Sequence, residues 1–303
     1  MCGMREGAQY FYLFTGIGSN GKSLLFNFLL DCFGEYGTTL ESETLTYVKV
    51  RANEHCDDMA KLPGCRIALV KEFLEDSTIN CKTIKGFTGD DDISTREIYK
   101  KQFTFRPQAH LGVICNELPK FSDSSDAMNR RNIVIHFPFR FCIKPEDDPT
   151  EFGPNDRKID NKLSVLLKQE KYMIAFIQIL SKVYIENYTN ELAISNIPVS
   201  IKESTTSYNK DNDLIGGWCN ENYEKDPKAD KIKASDLREQ FMADTETRIS
   251  AIKFNNNMKS KMGLIPLKFK DGYYFQGIRR KVIENSDKND LEYQLGGCSS
   301  NSE

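Results

Sequence analysis

The chain has 303 residues, 39% hydrophobic and 28% charged, a composition that excludes a disordered polymer and fits one medium α/β domain plus a smaller one. Its 41 basic and 44 acidic side chains leave a net charge of −3, so there is no global basic field for nucleic acid and any such contact must use local patches. Nine scattered cysteines without a C-x-x-C pair, and three histidines without ligand spacing, argue against a zinc module and read as buried free thiols in a reducing, intracellular setting.

The start, MCGMREGAQ, lacks the apolar core of a secretory signal. Residues 10–16 (YFYLFTG) read as a strand and 22–34 as a helix closed by Gly34. Residues 66–72 (RIALVKE), 110–116 (HLGVICN) and 132–139 (NIVIHFPF) read as further strands. These runs are nearly continuous rather than alternating, which suits strands covered on both faces, and the helices between them predict an α/β sheet. Residues 145–160, rich in Pro, Gly and Asp, read as a linker or long surface loop, and 161–208 as helical. The most apolar stretch, 172–185, is shorter than the ~20 residues a membrane span needs and is expected to be a buried helix. From 211 to 290 three helical segments precede two alternating runs around Asp271-Gly272, the pattern of a winged helix. There Ser235 or Asp236 is the expected N-cap of one helix and 254–262 the next. The expected divisions are an α/β core at 1–145, a linker and helical segment at 146–210, a winged-helix-like domain at 211–290, and a disordered tail at 291–303.

Gly16, Ile17, Gly18, Ser19, Asn20, Gly21, Lys22 and Ser23 spell G-x-x-x-x-G-K-[ST] between a strand and a helix. Glycines let the backbone wrap phosphates, and free N–H groups at a helix start hold negative charge. In that reading Lys22 reaches the outer phosphates of ATP and Ser23 ligates Mg²⁺. No N-K-x-D run occurs, which lowers a GTPase reading. Glu72 closes a neighbouring strand, where a motor ATPase needs an acid to hold Mg²⁺ and polarise water. Asn116 closes another, where a polar side chain orients water near the terminal phosphate; its bland alternative is a turn cap. Arg130 and Arg131 precede a strand and suit an arginine finger acting on a neighbouring subunit, or else two solvated loop arginines. Between Glu72 and Asn116, Lys82, Lys85, Arg96, Lys100, Lys101 and Arg106 alternate with Phe87, Tyr99, Phe103 and Phe105, a mixture that suits a strand-tracking DNA contact. Near the C-terminus, Arg279, Arg280 and Lys281 crown a locally basic stretch expected to touch DNA phosphate.

The pieces GIGSNGKS, RIALVKE, TIKGFTGDDDISTREIYKKQFTFRPQ, HLGVICNELPKF and DAMNRRNIVIHFPFRF, in that order over about residues 10–142, resemble superfamily 3 helicases. The likeness is to the helicase half of poxvirus-type primase-helicases of large DNA viruses and to related phage and plasmid primases. It implies a P-loop NTPase core of the modified AAA+ kind, a ring homo-hexamer, and 3′ to 5′ translocation on single-stranded or forked DNA. It implies that Lys22 and Ser23 are the Walker A ligands, Glu72 the Walker B acid, Asn116 the sensor, and Arg130 or Arg131 the finger. Lys85, Arg96, Lys100 and Lys101 then fall in the DNA-contacting hairpin. The implied activity is ATP hydrolysis driving DNA unwinding in viral replication, beside a primase and other replication proteins, in host cytoplasm or nucleus and with no membrane. The competing readings are a DNA-binding accessory ATPase with little unwinding and a small-molecule P-loop kinase. Two features depart from the family: Lys71 stands where many relatives have an acid or a small residue, and the phosphate loop begins at residue 16, without the primase and helical collar that precede it in relatives.

Overall fold

The computed structural model describes residues 9–46, 57–71, 73, 77–89, 91–96, 101–122, 125–143, 153–187 and 197–281. The chain divides into two compact units, Met1–Asn212 and Asp213–Glu303. The first unit runs β1 (Phe11–Thr15), α1 (Lys22–Phe33), β2 (Gly37–Leu40), β3 (Ile67–Lys71), β4 (Thr78–Ile79), α2 (Cys81–Thr88), β5 (Ile93–Thr95), β6 (Phe103–Phe105), β7 (His110–Ile114), β8 (Lys120–Phe121), α3 (Asp126–Asn129), β9 (Asn132–His136), β10 (Arg140–Cys142), β11 (Asp156–Lys158), α4 (Leu163–Leu166), α5 (Glu170–Asn187) and α6 (Val199–Asp211). Five of these strands form one wholly parallel sheet in the order β2-β3-β7-β1-β9, so the unit is mixed α/β.

The continuous apolar runs are explained by cover on both faces. Phe11, Leu13, Ala68, Val70, Leu111, Val113 and Val134 meet α2 through Ile84 and Phe87 on one side. Ile67, Leu69, Ile114 and Phe14 meet Phe26, Leu29 and Leu30 of α1 on the other. The pleat alternates these two sets residue by residue. The edge strand β9 is closed by α6: Thr205 Oγ1 accepts from the Val134 N–H at 2.9 Å, and Asn209 Oδ1 accepts from Asn132 Nδ2 at 2.7 Å. Such cover removes a row of open backbone groups that would otherwise recruit another chain. Gly34 ends α1 with φ +52, its N–H returning to the Leu30 carbonyl, as its position predicts.

Two expectations need correction. The segment read as linker or loop contains β11, which pairs with β10 in parallel and is pinned by a two-toothed Arg140–Asp156 pair, both contacts at 2.9 Å. The helix expected to be buried, α5, is largely exposed: Ile174, Ile179, Val183 and Ile185 all face outward, and Phe176 docks on Phe28 of α1 at a ring distance of 5.1 Å. Its apolar residues surround the helix, while α1 covers only one stripe of it. Among the described residues no helix is long and apolar enough to cross a membrane.

The second unit runs α7 (Leu214–Asn222), β12 (Tyr223–Lys225), β13 (Ile232–Lys233), α8 (Ala234–Thr245), α9 (Ala251–Met262), β14 (Leu267–Phe269), β15 (Gly272–Phe275) and β16 (Ile278–Arg280). Trp218, Phe241, Phe254 and Phe275 form its core, and the Trp218 indole N–H donates to Asp244 Oδ2 at 2.8 Å. β14 and β15 pair around Asp271-Gly272, β13 adds to β15, and β12 pairs with β16. Neither expected helix start is where the residue pattern placed it. β13 runs straight into α8 at Ala234, ahead of Ser235 and Asp236, and Ser250 caps α9 by accepting from the Lys253 N–H at 3.3 Å. The tail expected to be disordered lies outside the described residues.

Candidate nucleotide site

The turn after β1 needs backbone shapes that side chains resist. Gly16 sits at φ +145 and Gly21, which opens α1, at φ +81. A Cβ on Gly16 would stand 2.5 Å from the Phe137 carbonyl oxygen, in backbone that leaves β9 and is itself bonded to Thr15. We therefore expect Gly16→Ala to lower stability by about 2 kcal/mol or more, from strain and clash together, as a melting shift that adding ATP does not restore. An unchanged melting curve would show that the turn tolerates other shapes.

Lys22 is only 4% exposed, and its ammonium donates to the Gly16 carbonyl at 2.5 Å, closing the turn on itself. Burial holds its pKa below the usual lysine value. Asn20 is 6% exposed; its Oδ1 accepts from the Lys22 N–H at 3.3 Å, and its Nδ2 has no partner. A buried donor without an acceptor costs stability, and a phosphate oxygen would supply what it lacks.

This turn opens onto a cavity of about 530 Å³ at the carboxyl ends of β1, β3 and β7, where ligands bind in open α/β sheets. Gly18, Ser19, Asn20, Lys22 and Ser23 line it from the turn, Asn27 from α1, Lys71 from β3, and residues 114–120 from β7 onward. Lys22, Ser23 and Asn116 thus converge on one space. Asn116 is held there by its carbonyl, which accepts from Thr15 Oγ1 at 3.0 Å. Beneath them burial pushes the Cys115 thiol up to about 11, so it stays protonated. Ile17, by contrast, points to solvent. On the other side of the turn lies an apolar cleft of about 690 Å³ that Ser19, Asn20 and Gly21 share with Leu25, Phe28, Phe137, Phe139 and Phe141.

Glu72 lies outside the described residues, so the expected metal-holding acid has no position here. Among the described residues no cluster of His, Cys, Asp or Glu is arranged for a metal ion. Ser23 and Glu117 bring a hydroxyl and a carboxylate to the cavity. The sequence pattern singled out Lys71 only as a departure from relatives, and passed over Glu117, Asn27 and the apolar cleft. Glu117 had a signal, since it follows Asn116 directly; the others are joined only by the fold.

The two candidate arginines separate. Arg131 is buried, donating to Thr88 Oγ1 at 3.0 Å, the Ala127 carbonyl at 2.6 Å and Gln9 Oε1 at 2.6 Å. Each of its three guanidinium nitrogens is thus engaged inside its own chain. Arg130 is exposed.

The residues expected at DNA are placed unevenly. β5 and β6 form an antiparallel hairpin, with Arg96 and Lys101 flanking its turn; Lys100 lies outside the described residues. Lys85 is on α2, away from that turn, and donates to Ser125 Oγ at 2.8 Å. In the second unit Arg279 pairs with Glu224 at 2.6 Å and Asp226 at 3.7 Å. Lys281 donates to the Asn220 carbonyl at 2.6 Å, and Arg280 reaches the Gln240 amide at 3.2 Å. The basic run is therefore less positive in space than in sequence.

Residues 14–131 match a family described as "Family of unknown function (DUF5906)". The chain is 31% identical over 223 residues to "Putative helicase 022R" of Frog virus 3, covering 70% of this chain and 22% of that protein. It is 33% identical over 138 residues to "Putative helicase L207/L206" of Acanthamoeba polyphaga mimivirus, covering 46% and 14% respectively. "Putative helicase V13" of the Sputnik virophage is 27% identical over 220 residues, covering 70% and 27%. The chain thus spans about a quarter or less of the length of these relatives. By sequence it resembles a segment of the putative helicases of large DNA viruses and a virophage.

Proposed function

We propose that this chain is the ATP-hydrolysing motor of a viral DNA helicase of the superfamily 3, modified AAA+ kind. The observation that carries the reading is the convergence of Lys22, Ser23 and Asn116 on one cavity at the sheet's carboxyl ends, beside a buried amide that lacks an acceptor. The 16–23 turn binds the phosphates as a P-loop, and the apolar cleft beside it accepts the base. Ser23 and Glu72 hold the Mg²⁺ that accompanies ATP, which neutralises charge on the phosphates. Glu72 and Asn116 orient the attacking water. Arg130 serves as the finger toward the next subunit of a ring homo-hexamer, because Arg131 is engaged inside its own chain.

Single-stranded or forked DNA is held at the β5–β6 hairpin through Arg96, Lys100 and Lys101, with Lys85 contributing from α2. The second unit, with three helices and a β14–β15 wing, acts as a winged helix. There Arg279, Arg280 and Lys281 exchange their internal partners for phosphate. Primase and other replication proteins are its partners in the host cytoplasm or nucleus.

The test is ATP turnover with and without single-stranded DNA, alongside mass in solution with ATP. The motor reading expects DNA to raise turnover several-fold and ATP to drive assembly. Turnover indifferent to DNA, with DNA still bound, would leave the accessory-ATPase reading in its place.

A further inference from the structure

Lys71 ends β3, and the pleat puts its side chain with Ile67 and Leu69 on the face that α1 covers. Its ammonium donates to Asn27 Oδ1 at 2.6 Å, one helical turn beyond Ser23. Lys71, Asn27, Ser23 and Lys22 line the same cavity together with Lys120, so its lysines come from β3, α1 and β8. Among the described residues no carboxylate lies within ion-pair distance of Lys71; its partner is a neutral amide. A neutral hydrogen bond at a partly wet site is worth about 1 kcal/mol and is readily exchanged for a charged acceptor.

We propose that Lys71 is a second phosphate clamp that contacts the outermost phosphate of a nucleoside triphosphate. This deepens the nucleotide reading of the cavity and rests on it. Position selects the phosphate. In the sheet order, β3 and β1 are separated by β7, so the end of β3 stands two strand spacings, about 10 Å, from the end of β1. Lys22 opens α1 at the end of the turn that follows β1 and holds the phosphates nearest that turn. A cation arriving from β3 meets only a polyphosphate long enough to extend across β7. A diphosphate ends short of it. A cation here also opposes a bare divalent ion and favours an anion, so this strand end discriminates by the length and charge of the phosphate chain.

The experiment measures ATP, ADP and AMP affinity by calorimetry for the whole chain, the Lys71→Ala and Lys71→Arg variants, and Lys22→Ala. The expected result is that Lys71→Ala weakens ATP about tenfold or more and ADP less than twofold, while Lys71→Arg retains most of the preference for ATP. Melting curves check that each variant is folded; Lys71→Met, which keeps the stem without the charge, stands in if the alanine variant is not. Equal weakening of ATP and ADP, or no change in either, would overturn the clamp while leaving the nucleotide site intact. Failure of the unmodified chain to bind ATP or ADP would overturn both readings together.

Discussion

Lys22→Ala should lower ATP affinity by about 100-fold or more, equivalent to about 2.7 kcal/mol, with turnover lost and melting temperature unchanged or raised. The two halves of that expectation have one cause. Lys22 is buried with a carbonyl as its partner and a protonated thiol, Cys115, nearby. Burying an ammonium without a counter-charge is unfavourable, as its depressed pKa registers. The unfolded lysine holds its proton more tightly than the folded one. The penalty is therefore complete below the lowered pKa and fades as pH rises toward the ordinary 10.5. Alanine removes this penalty at neutral pH together with the charge that attracts phosphate. A site that sacrifices stability for binding should show this opposition. Calorimetric titration and thermal melting of the same samples test it. A variant that melts well below the parent, or still binds ATP normally, would mean that Lys22 is a structural strut.

Arg131→Ala should destabilise the first unit by about 3 kcal/mol or more, a melting shift of about 6–12 °C. Arg131 joins α2 at Thr88, α3 at Ala127, and Gln9 ahead of β1, so its loss strands three acceptors in or near the interior. Arg131→Lys should recover little, because an ammonium cannot present the same fork of donors. Arg130→Ala should leave melting within about 1 °C, as expected for an exposed side chain, and lower turnover in a way that wild-type subunits restore in mixed assemblies. If the two phenotypes are exchanged, the assignment of the finger to Arg130 is wrong. Measurement of both variants is needed because a turnover assay alone would score an unfolded Arg131 variant as a catalytic one.

Much of this arrangement was legible because it is local. The turn residues at 16–23, the helix stop at Gly34 and the hairpin at Asp271-Gly272 each follow from backbone geometry over a few residues. The unbroken apolar runs implied cover on both faces, and that cover is present. Helix starts in the second unit were less legible, because a strand feeding directly into α8 overrode the preference of Ser235 and Asp236 for a cap.

What the sequence alone determined is the chemistry available at each strand end and the α/β character of the first unit, since both depend on residue type and short periodicity. What only the tertiary structure decided is which of those groups meet. Sheet order brings Lys71 and Asn116 to the cavity of Lys22, across 49 and 94 positions of chain. Packing buries Arg131 and leaves Arg130 outside, although the two are neighbours in sequence. It also leaves α5 mostly uncovered despite its apolar composition. The physical reason is the same in each case: burial and charge pairing are set by neighbours in space, and long-range strand pairing selects those neighbours without leaving a mark on either local segment.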